Sequence, residues 1–335
     1  MPELGEIISL PELQAEFKEN CPFKQEAKKG SKRRDEHIGD DDKDEAEGLQ
    51  ENNGGILGEN LEGKKPGVGT EGLFPPDDFL YEQKANDSKR GERTLIHLQE
   101  YKNAKEGDFP FTVAAHHLIP GNASLYKTDV KLVNYMDDGG NVKSNAGKSY
   151  TIEGHIGYDV NGSHNGVWLP GNYAIKKANP KKKQPSTTPV KGKSWSALSN
   201  THEPWQYQYV AGACKAGRGQ FHDSHEEPYS ATVRSNLAKI VTALSTHLDS
   251  PCPDCSGKKK VLPPPHRIKR RLYALSQTLR GFVQGPPQAW KAPWFTSQKW
   301  SEKIFEDGEI KEDFLKAYAN ARVTDPAEVV VDDED

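Results

Sequence analysis

A short apolar segment that ends in two adjacent histidines constrains the fold of this chain more than any other feature. Residues 109–119 are rich in strand-forming and small apolar side chains, and they include His116 and His117. Pro120 and Gly121 follow, so the pattern predicts a strand that enters a tight turn. Because consecutive side chains of a strand point to opposite faces, we expect the two histidines to perform different tasks. One imidazole can bind a metal ion while the other accepts a proton.

The composition predicts a globular part that carries long solvated segments. Hydrophobic residues make up 34% of the 335 residues and charged residues 28%, and segments of such composition bury little apolar surface. No apolar run is long enough to span a bilayer, and the acidic N-terminus lacks the basic residues of a signal peptide. The four cysteines are too unevenly spread for a disulfide framework. We therefore predict a protein without a membrane span, which is made and kept reduced in a cytoplasm or exported without a cleaved signal peptide.

Changes in composition along the chain predict three consecutive parts. Residues 1–72 are interpreted as a long N-terminal arm of low hydrophobicity, with a short helix followed by a flexible linker rich in acidic residues and glycine. Residues 73–250 are predicted to form the main domain. Residues 251–335 are predicted to form a helical extension that is basic and rich in tryptophan, before an acidic tail.

A basic loop interrupts the predicted main domain. Residues 176–193 are rich in lysine, proline, serine and threonine, and they contain Lys181, Lys182 and Lys183. A run of lysines is usually a solvated surface, but next to a site that processes phosphates it can neutralise a nucleic-acid backbone. We therefore name these three lysines as candidate nucleic-acid contacts.

Two further segments supply candidate site residues. Asn165 lies between successive turns and a short apolar strand over 167–169, where an asparagine can bond nearby backbone or orient a neighbouring imidazole. His222 and His225 precede a helix that is predicted over 229–248 from apolar residues three and four positions apart. Their spacing of three allows both rings to face the same way, as metal ligands would.

Together these residues have the chemistry of a hydrolase for phosphodiesters. An imidazole base, an asparagine that orients it and additional imidazole ligands are what a one-metal phosphodiester hydrolase needs. Histidine-rich ligation suits zinc, nickel or manganese and still permits magnesium. We therefore expect one divalent metal ion as cofactor.

Three blocks of the sequence resemble the AHH family, a branch of the HNH/endonuclease VII nucleases. The blocks are residues 115–121 with the Ala-His-His motif, residues 157–170, and residues 219–233. The resemblance implies an α+β fold with a ββα-metal (His-Me finger) core and additional helices. It also implies the roles of the candidate residues: His116 as a metal ligand, His117 as the general base, Asn165 as the residue that orients this base, and His222 or His225 as the ligand on the helix.

The same resemblance implies a function and a biological context. Proteins similar to this family are metal-dependent endonucleases and are common as toxin domains of bacterial polymorphic toxins. The resemblance therefore implies cleavage of DNA in preference to RNA and a role as an antibacterial effector. It further implies a cognate immunity protein, a carrier or a secretion apparatus such as type VI, and delivery from the producer's cytoplasm into competing cells without a signal peptide.

A pair of cysteines supports two alternatives. Cys252 and Cys255 form a Cys-x-x-Cys unit, which would need two more ligands to hold a structural zinc ion. The sequence leaves Cys214, His247 and His266 open as those ligands. Alternatively, His225, Glu227, Cys252 and Cys255 match the zinc-site signature of a nucleobase deaminase, although Pro228 would interrupt the helix that should carry the histidine and the glutamate. A non-enzymatic module that binds nucleic acid or a partner protein through the basic helix after His266 is the third hypothesis.

Overall fold

The protein is described by a computed structural model over ten ranges of the chain. These ranges are residues 5–24, 51–62, 95–98, 107–110, 112–127, 129–171, 204–222, 227–250, 260–306 and 308–324. The helices are α1 (Leu10–Glu19), α2 (Gly54–Glu62), α3 (Val133–Met136), α4 (Pro204–Gly217), α5 (Glu227–Asp249), α6 (Arg267–Val283), α7 (Lys303–Glu306) and α8 (Gly308–Asn320). The strands are β1 (Leu95–Leu98), β2 (Gly107–Pro110), β3 (Thr112–His117), β4 (Asn141–Lys143), β5 (Ser149–Ile152), β6 (Gly166–Gly171), β7 (Val261–Leu262) and β8 (Arg322–Thr324). Helices combined with small sheets confirm the α+β class.

The chain divides into two compact units, and neither is a continuous segment. The first unit consists of Met1–Leu73, Ala115–Val167 and Glu227–Gly281, and the second consists of Phe74–Ala114, Trp168–Glu226 and Phe282–Asp335. This division differs from the three consecutive parts, 1–72, 73–250 and 251–335, that the composition predicts. The reason is that elements pair with partners far away in the sequence, such as α1 with α5 and β1 with β8.

The helix α5 of the first unit has one apolar face, which is the pattern that its sequence predicts. Its buried residues recur at spacings of three and four, which places them on one side of a helix: Val233, Leu237, Ile240, Leu244 and Leu248. Pro228 lies in the first turn, where its missing N–H costs no hydrogen bond. The predicted helix over 229–248 is therefore confirmed, with bounds at Glu227 and Asp249.

The N-terminal helix α1 packs along α5. Leu13 and Phe17 are the buried residues of α1, one helical turn apart. The backbone N–H groups of Ile7 and Ile8 donate to Oδ1 of Asn236, at 2.8 and 2.9 Å. These contacts make the start of the chain part of the first unit.

A three-stranded sheet completes the first unit. In the order β4-β5-β7, β5 pairs antiparallel with β4 and parallel with β7. The turn before β4 contains Gly139, at a φ of 73°, and Gly140, where an added Cβ would lie 2.0 Å from the carbonyl oxygen of Asn134. Turn residues at these positions, Asp137 to Gly140, are typical of a chain reversal, and the structure has one there.

The second unit combines another antiparallel sheet with packed helices. Its strands follow the order β2-β1-β8, and α4 packs on α8. Nζ of Lys215 donates to the carbonyl oxygens of Ala319 and Ala321 at 3.0 and 2.9 Å, which satisfies acceptors at the end of α8. Three tryptophans of the C-terminal part, Trp290, Trp294 and Trp300, are buried in this unit. Within the described part of the chain, no helix is both long and apolar enough to cross a membrane.

Candidate active site

The two adjacent histidines are the last residues of β3, as the sequence predicted. β3 pairs with β6 in a two-stranded sheet, and the N–H of Leu118 donates to the carbonyl oxygen of Asn165 at 2.8 Å. After Pro120 the chain turns through a π-helical segment, Gly121–Leu125. His116 and His117 are 5% and 8% exposed, so both imidazoles lie in an environment that protein groups control.

The ring of His117 is held by the side chain of Asn161. Nε2 of His117 lies 3.1 Å from Oδ1 of Asn161. The orientation of this amide is determined by backbone groups, because Oδ1 accepts from the N–H of Asn53 at 2.8 Å and Nδ2 donates to the carbonyl oxygen of Glu51 at 2.8 Å. An amide oxygen accepts only, so Nε2 of His117 carries the hydrogen. In the neutral ring, the lone pair that accepts a proton is then on Nδ1.

The segment that fixes Asn161 comes from the N-terminal arm. Besides the two bonds from residues 51 and 53, Nδ2 of Asn60 donates to the carbonyl oxygen of Asn161 at 2.9 Å. Leu57 of α2 packs so closely on Gly166, the first residue of β6, that an added Cβ there would lie 2.6 Å from Leu57 Cδ1. The composition of residues 1–72 predicts a flexible linker in this region, whereas the structure has a helix, α2. The apolar pair Leu57 and Leu61, one helical turn apart, was the signal that it is a helix.

Asn165 has a different contact pattern from the one the resemblance implies. Its Oδ1 accepts from the N–H of Ile119 at 2.8 Å and from Oγ of Ser276 at 3.1 Å. Its Nδ2 donates to the carbonyl oxygens of Ile119 and Val160 at 3.0 and 2.9 Å. These bonds use both donors and both lone pairs of a completely buried amide. Asn165 therefore holds the backbone turn after His117, and the contact with the imidazole itself belongs to Asn161.

His116 packs against the first turn of α5. Its ring is edge-on to the ring of Tyr229, with centroids 5.6 Å apart and an angle of 65°. The hydroxyl of Tyr229 donates to the carbonyl oxygen of Leu118 at 2.8 Å, and burial raises the pKa of this phenol. His116 and His117 thus have different partners, as expected for neighbours in a strand.

His222 lies in the second unit and is 4% exposed. Its N–H donates to the carbonyl oxygen of Pro170 at 2.8 Å, and Nδ1 of the ring lies 3.3 Å from the carbonyl oxygen of Thr296. Because a carbonyl only accepts, Nδ1 carries the hydrogen, and Nε2 is the nitrogen suited to a metal. Gln220 positions this segment through donation to the carbonyl oxygens of Phe282 and Trp294.

The remaining predicted site residues lie outside the described ranges. They are His225, Lys181, Lys182, Lys183, Cys252 and Cys255. Among the residues that the structure does describe, no group of three or more histidine, cysteine, aspartate or glutamate side chains can hold a metal ion. The described residues alone therefore do not form a complete ligand set for the expected divalent ion.

A third histidine of the first unit lies in an aromatic cluster that the sequence did not reveal. The His164 ring centroid is 5.1 Å from that of Tyr158 and 4.3 Å from that of Tyr273. Burial, followed by the positive charges of Lys269 and Arg280, lowers the pKa of His164 to about 3. The guanidinium of Arg280 also donates to the carbonyl oxygens of Ser163, His164 and Gly166. His164 is thus a neutral packing residue rather than a candidate base.

The lowered pKa predicts an acid-sensitive fold. Unfolded histidine titrates near 6.5, so between about pH 6.5 and pH 3 the unfolded chain binds a proton that folded His164 does not. The free energy of unfolding should therefore fall with decreasing pH, by up to about 1.4 kcal/mol per pH unit from this residue. His164→Phe, which keeps a ring between the tyrosines, should reduce that slope in urea unfolding of the full chain. The control is His266→Phe, at an exposed position. If the free energy of unfolding depended on pH in His164→Phe as strongly as in this control and in the wild type, the prediction would be wrong.

Comparison with known proteins gives no further assignment, because no family model, no curated protein and no solved structure matches this chain.

Proposed function

We propose that this protein is a metal-dependent endonuclease that hydrolyses phosphodiester bonds of nucleic acid, DNA in preference to RNA. The observation that carries the proposal is the His117–Asn161 contact. It holds a buried imidazole at a strand end, with Nε2 protonated and the lone pair on Nδ1. That is the state a general base requires before it accepts a proton from an attacking water.

His117 and Asn161 would divide the proton transfer between them. Nδ1 of His117 takes the proton from water as the oxygen attacks phosphorus, and the ring becomes an imidazolium. Oδ1 of Asn161, already bonded to Nε2, stabilises the positive charge as it develops, because bonds to charged donors are stronger than bonds to neutral ones. The backbone groups of Glu51 and Asn53 keep Oδ1 in place. The divalent ion that the resemblance implies would supply neutralisation of charge on the phosphate and on the departing oxygen.

The order of the elements also supports the proposal. A ββα core needs two paired strands followed by a helix. β3, β6 and α5 occur in this order, with α3, β4 and β5 between the two strands and α4 between β6 and α5. His116 is the candidate metal ligand from β3, and it contacts Tyr229 in the first turn of α5. His222 and His225 remain candidate ligands, and Lys181, Lys182 and Lys183 remain candidate phosphate contacts. The context of a toxin with an immunity protein and a secretion route is part of the proposal through the resemblance alone.

The environment of Glu227 supports the deaminase alternative less than the environment of His117 supports the endonuclease. The proton shuttle of the deaminase would be Glu227, which is exposed and paired with Arg234. That guanidinium lowers the pKa of the Glu227 carboxyl, whereas a glutamate that delivers protons near neutrality works best with a raised pKa. A deaminase would lose activity in Glu227→Ala and keep it in His117→Ala, so these two variants separate the hypotheses.

The test is cleavage of supercoiled plasmid DNA and of RNA by the purified full chain. Samples are compared with and without chelator, and magnesium, manganese, zinc or nickel is then added back separately. We expect nicked and linear DNA only when a divalent metal is present, and slower cleavage of RNA. Inactivity with all four metals on both substrates would overturn the proposal. Chelator-resistant cleavage would overturn the metal requirement.

A further inference from the structure

The segment 51–62, which we call the clasp, contacts two separate parts of the chain around His117. Oδ1 of Asn52 accepts from the N–H of Gly121 at 3.2 Å, in the turn that follows β3. An added Cβ at Gly121 would lie 2.7 Å from Cβ of Asn52, so these two residues are in close contact. The bonds with Asn161 are the second attachment. The clasp therefore joins the turn after His117 to the loop that carries Asn161.

The side chain of Asn53 caps the helix of the clasp. Its Oδ1 accepts from the N–H groups of Gly55 and Ile56 at 2.9 and 3.2 Å, which satisfies two donors that have no intrahelical partner at the start of α2. A helix of nine residues is too short to be stable in water by itself. The helix α2 therefore depends on this cap and on the burial of Leu57 and Leu61.

The backbone of the clasp determines which way the amide of Asn161 faces. Oδ1 of Asn161 accepts from the N–H of Asn53, and Nδ2 donates to the carbonyl oxygen of Glu51. A backbone N–H only donates and a carbonyl only accepts, so neither bond survives a rotation of the amide by half a turn. The docked clasp thus selects the orientation in which the amide oxygen faces Nε2 of His117.

The opposite orientation of this amide would favour the other tautomer of the imidazole. The amide nitrogen of Asn161 only donates, so a hydrogen bond from it to Nε2 of His117 requires the lone pair on Nε2. The ring hydrogen would then be on Nδ1, where the proposed mechanism needs the lone pair. The orientation of one amide therefore separates a ring with a lone pair on Nδ1 from a ring without one.

We propose that docking of the clasp selects the tautomer of His117 through the orientation of the Asn161 amide, and thereby regulates cleavage. Glu51 and Asn53 are the positioning residues, and both are exposed. When α2 leaves the loop, water replaces their backbone groups at Asn161, and both orientations of the amide become accessible. The link from the tautomer to cleavage rests on the proposed function, whereas the link from the clasp to the tautomer does not.

The test measures the tautomer of His117 by nuclear magnetic resonance of the full chain with isotope-labelled histidine rings. Spectra are recorded at about pH 8.5, where imidazoles are neutral, and the signals of His117 are those that disappear in His117→Gln. We expect hydrogen on Nε2 alone in the wild type. Leu57→Asp should give a mixture of both tautomers, because it places a carboxylate where a side chain with 0% exposure packs on Gly166. The matched control is Ile56→Asp, which adds the same charge at the neighbouring position, 39% exposed, and should keep the wild-type tautomer.

A second variant keeps the proposal testable if Leu57→Asp fails to fold. Leu57→Ala combined with Leu61→Ala weakens the packing of α2 without a buried charge, and it should give the same mixture. Rapid hydrogen exchange of the Gly55 amide, which bonds to Asn53 in the wild type, shows in each variant that α2 is released. A folded variant with α2 released and hydrogen on Nε2 alone would overturn the proposal, and so would a wild type with hydrogen on Nδ1.

Cleavage by the same variants tests the regulatory part of the proposal. We expect the rate of plasmid nicking to fall in proportion to the fraction of His117 with hydrogen on Nε2. Mixed tautomers with an unchanged rate would show that the clasp does not regulate cleavage. The tautomer is measured without nucleic acid, so a failure of this inference is distinguishable from a failure of the proposed function.

Discussion

His117→Ala is expected to lower the rate of nucleic-acid cleavage by about 10²–10⁴-fold, the usual contribution of a general base. The bond from Nε2 to Oδ1 of Asn161 fixes this imidazole in the tautomer that carries its lone pair on Nδ1, which is the tautomer of the proposed base. Truncation removes the base but leaves the backbone of β3, which pairs with β6, unchanged. The measurement is the initial rate of plasmid nicking at saturating metal.

The matched control for His117 is His155→Ala, which removes a histidine of the same unit that has no role in the proposed mechanism. We expect its cleavage rate to stay within about threefold of the wild type. Circular dichroism should show both variants folded. Equal rates for His117→Ala and the wild type would remove His117 from the mechanism, whatever the metal dependence of cleavage.

Asn165→Ala is expected to destabilise the protein by about 3–5 kcal/mol, since it leaves several buried polar groups without partners. The amide of Asn165 satisfies the N–H and the carbonyl of Ile119 as well as the carbonyl of Val160. Ser276 also loses its acceptor. The measurement is urea unfolding of the full chain. Asn134→Ala, which removes an exposed bond to the carbonyl of Asn141, should change stability by less than about 0.5 kcal/mol.

The neighbouring asparagine provides a contrast for the same experiment. Asn161→Ala loses the bond with Nε2 of His117 and the bonds with backbone groups of Glu51 and Asn53. Glu51 and Asn53 are exposed residues, so water can replace the amide at their backbone groups. We therefore expect a smaller loss of stability than for Asn165→Ala, together with slower cleavage by folded protein. If the two variants exchanged these phenotypes, the roles that the structure assigns to the two asparagines would be reversed.

The candidate site was predictable from the sequence only in part. The position of His116 and His117 at a strand end, and the turn after them, followed from local patterns of apolar residues, proline and glycine. The identity of the asparagine that contacts His117 did not. Both Asn161 and Asn165 lie beside Asn-Gly turns, and such a turn does not specify where the amide points. The choice depends on residues 51–53, whose bonds to Asn161 place its oxygen toward the imidazole.

The same limit applies to the fold as a whole. The division into two units joins segments from the start, the middle and the end of the chain, whereas changes in composition suggested three consecutive parts. Composition records how much apolar surface each segment can bury, but it does not record the partner against which that surface is buried. The short helix α2 is an example, because its buried residues Leu57 and Leu61 lie in a segment whose composition indicated a linker.

Local elements followed from the order of residues alone: the helix α5 from its period of three to four residues, the strand that ends in two adjacent histidines, and the glycine turns. Each depends on the geometry of a few consecutive residues, which the order of side chains encodes directly. The contacts of His117 with Asn161 and of Cys21 with His247 join residues 44 and 226 positions apart, and they depend on the packing of distant segments. Hydrogen bonds and metal ligands require atoms within a few ångströms, and no period in the sequence specifies which distant side chains meet.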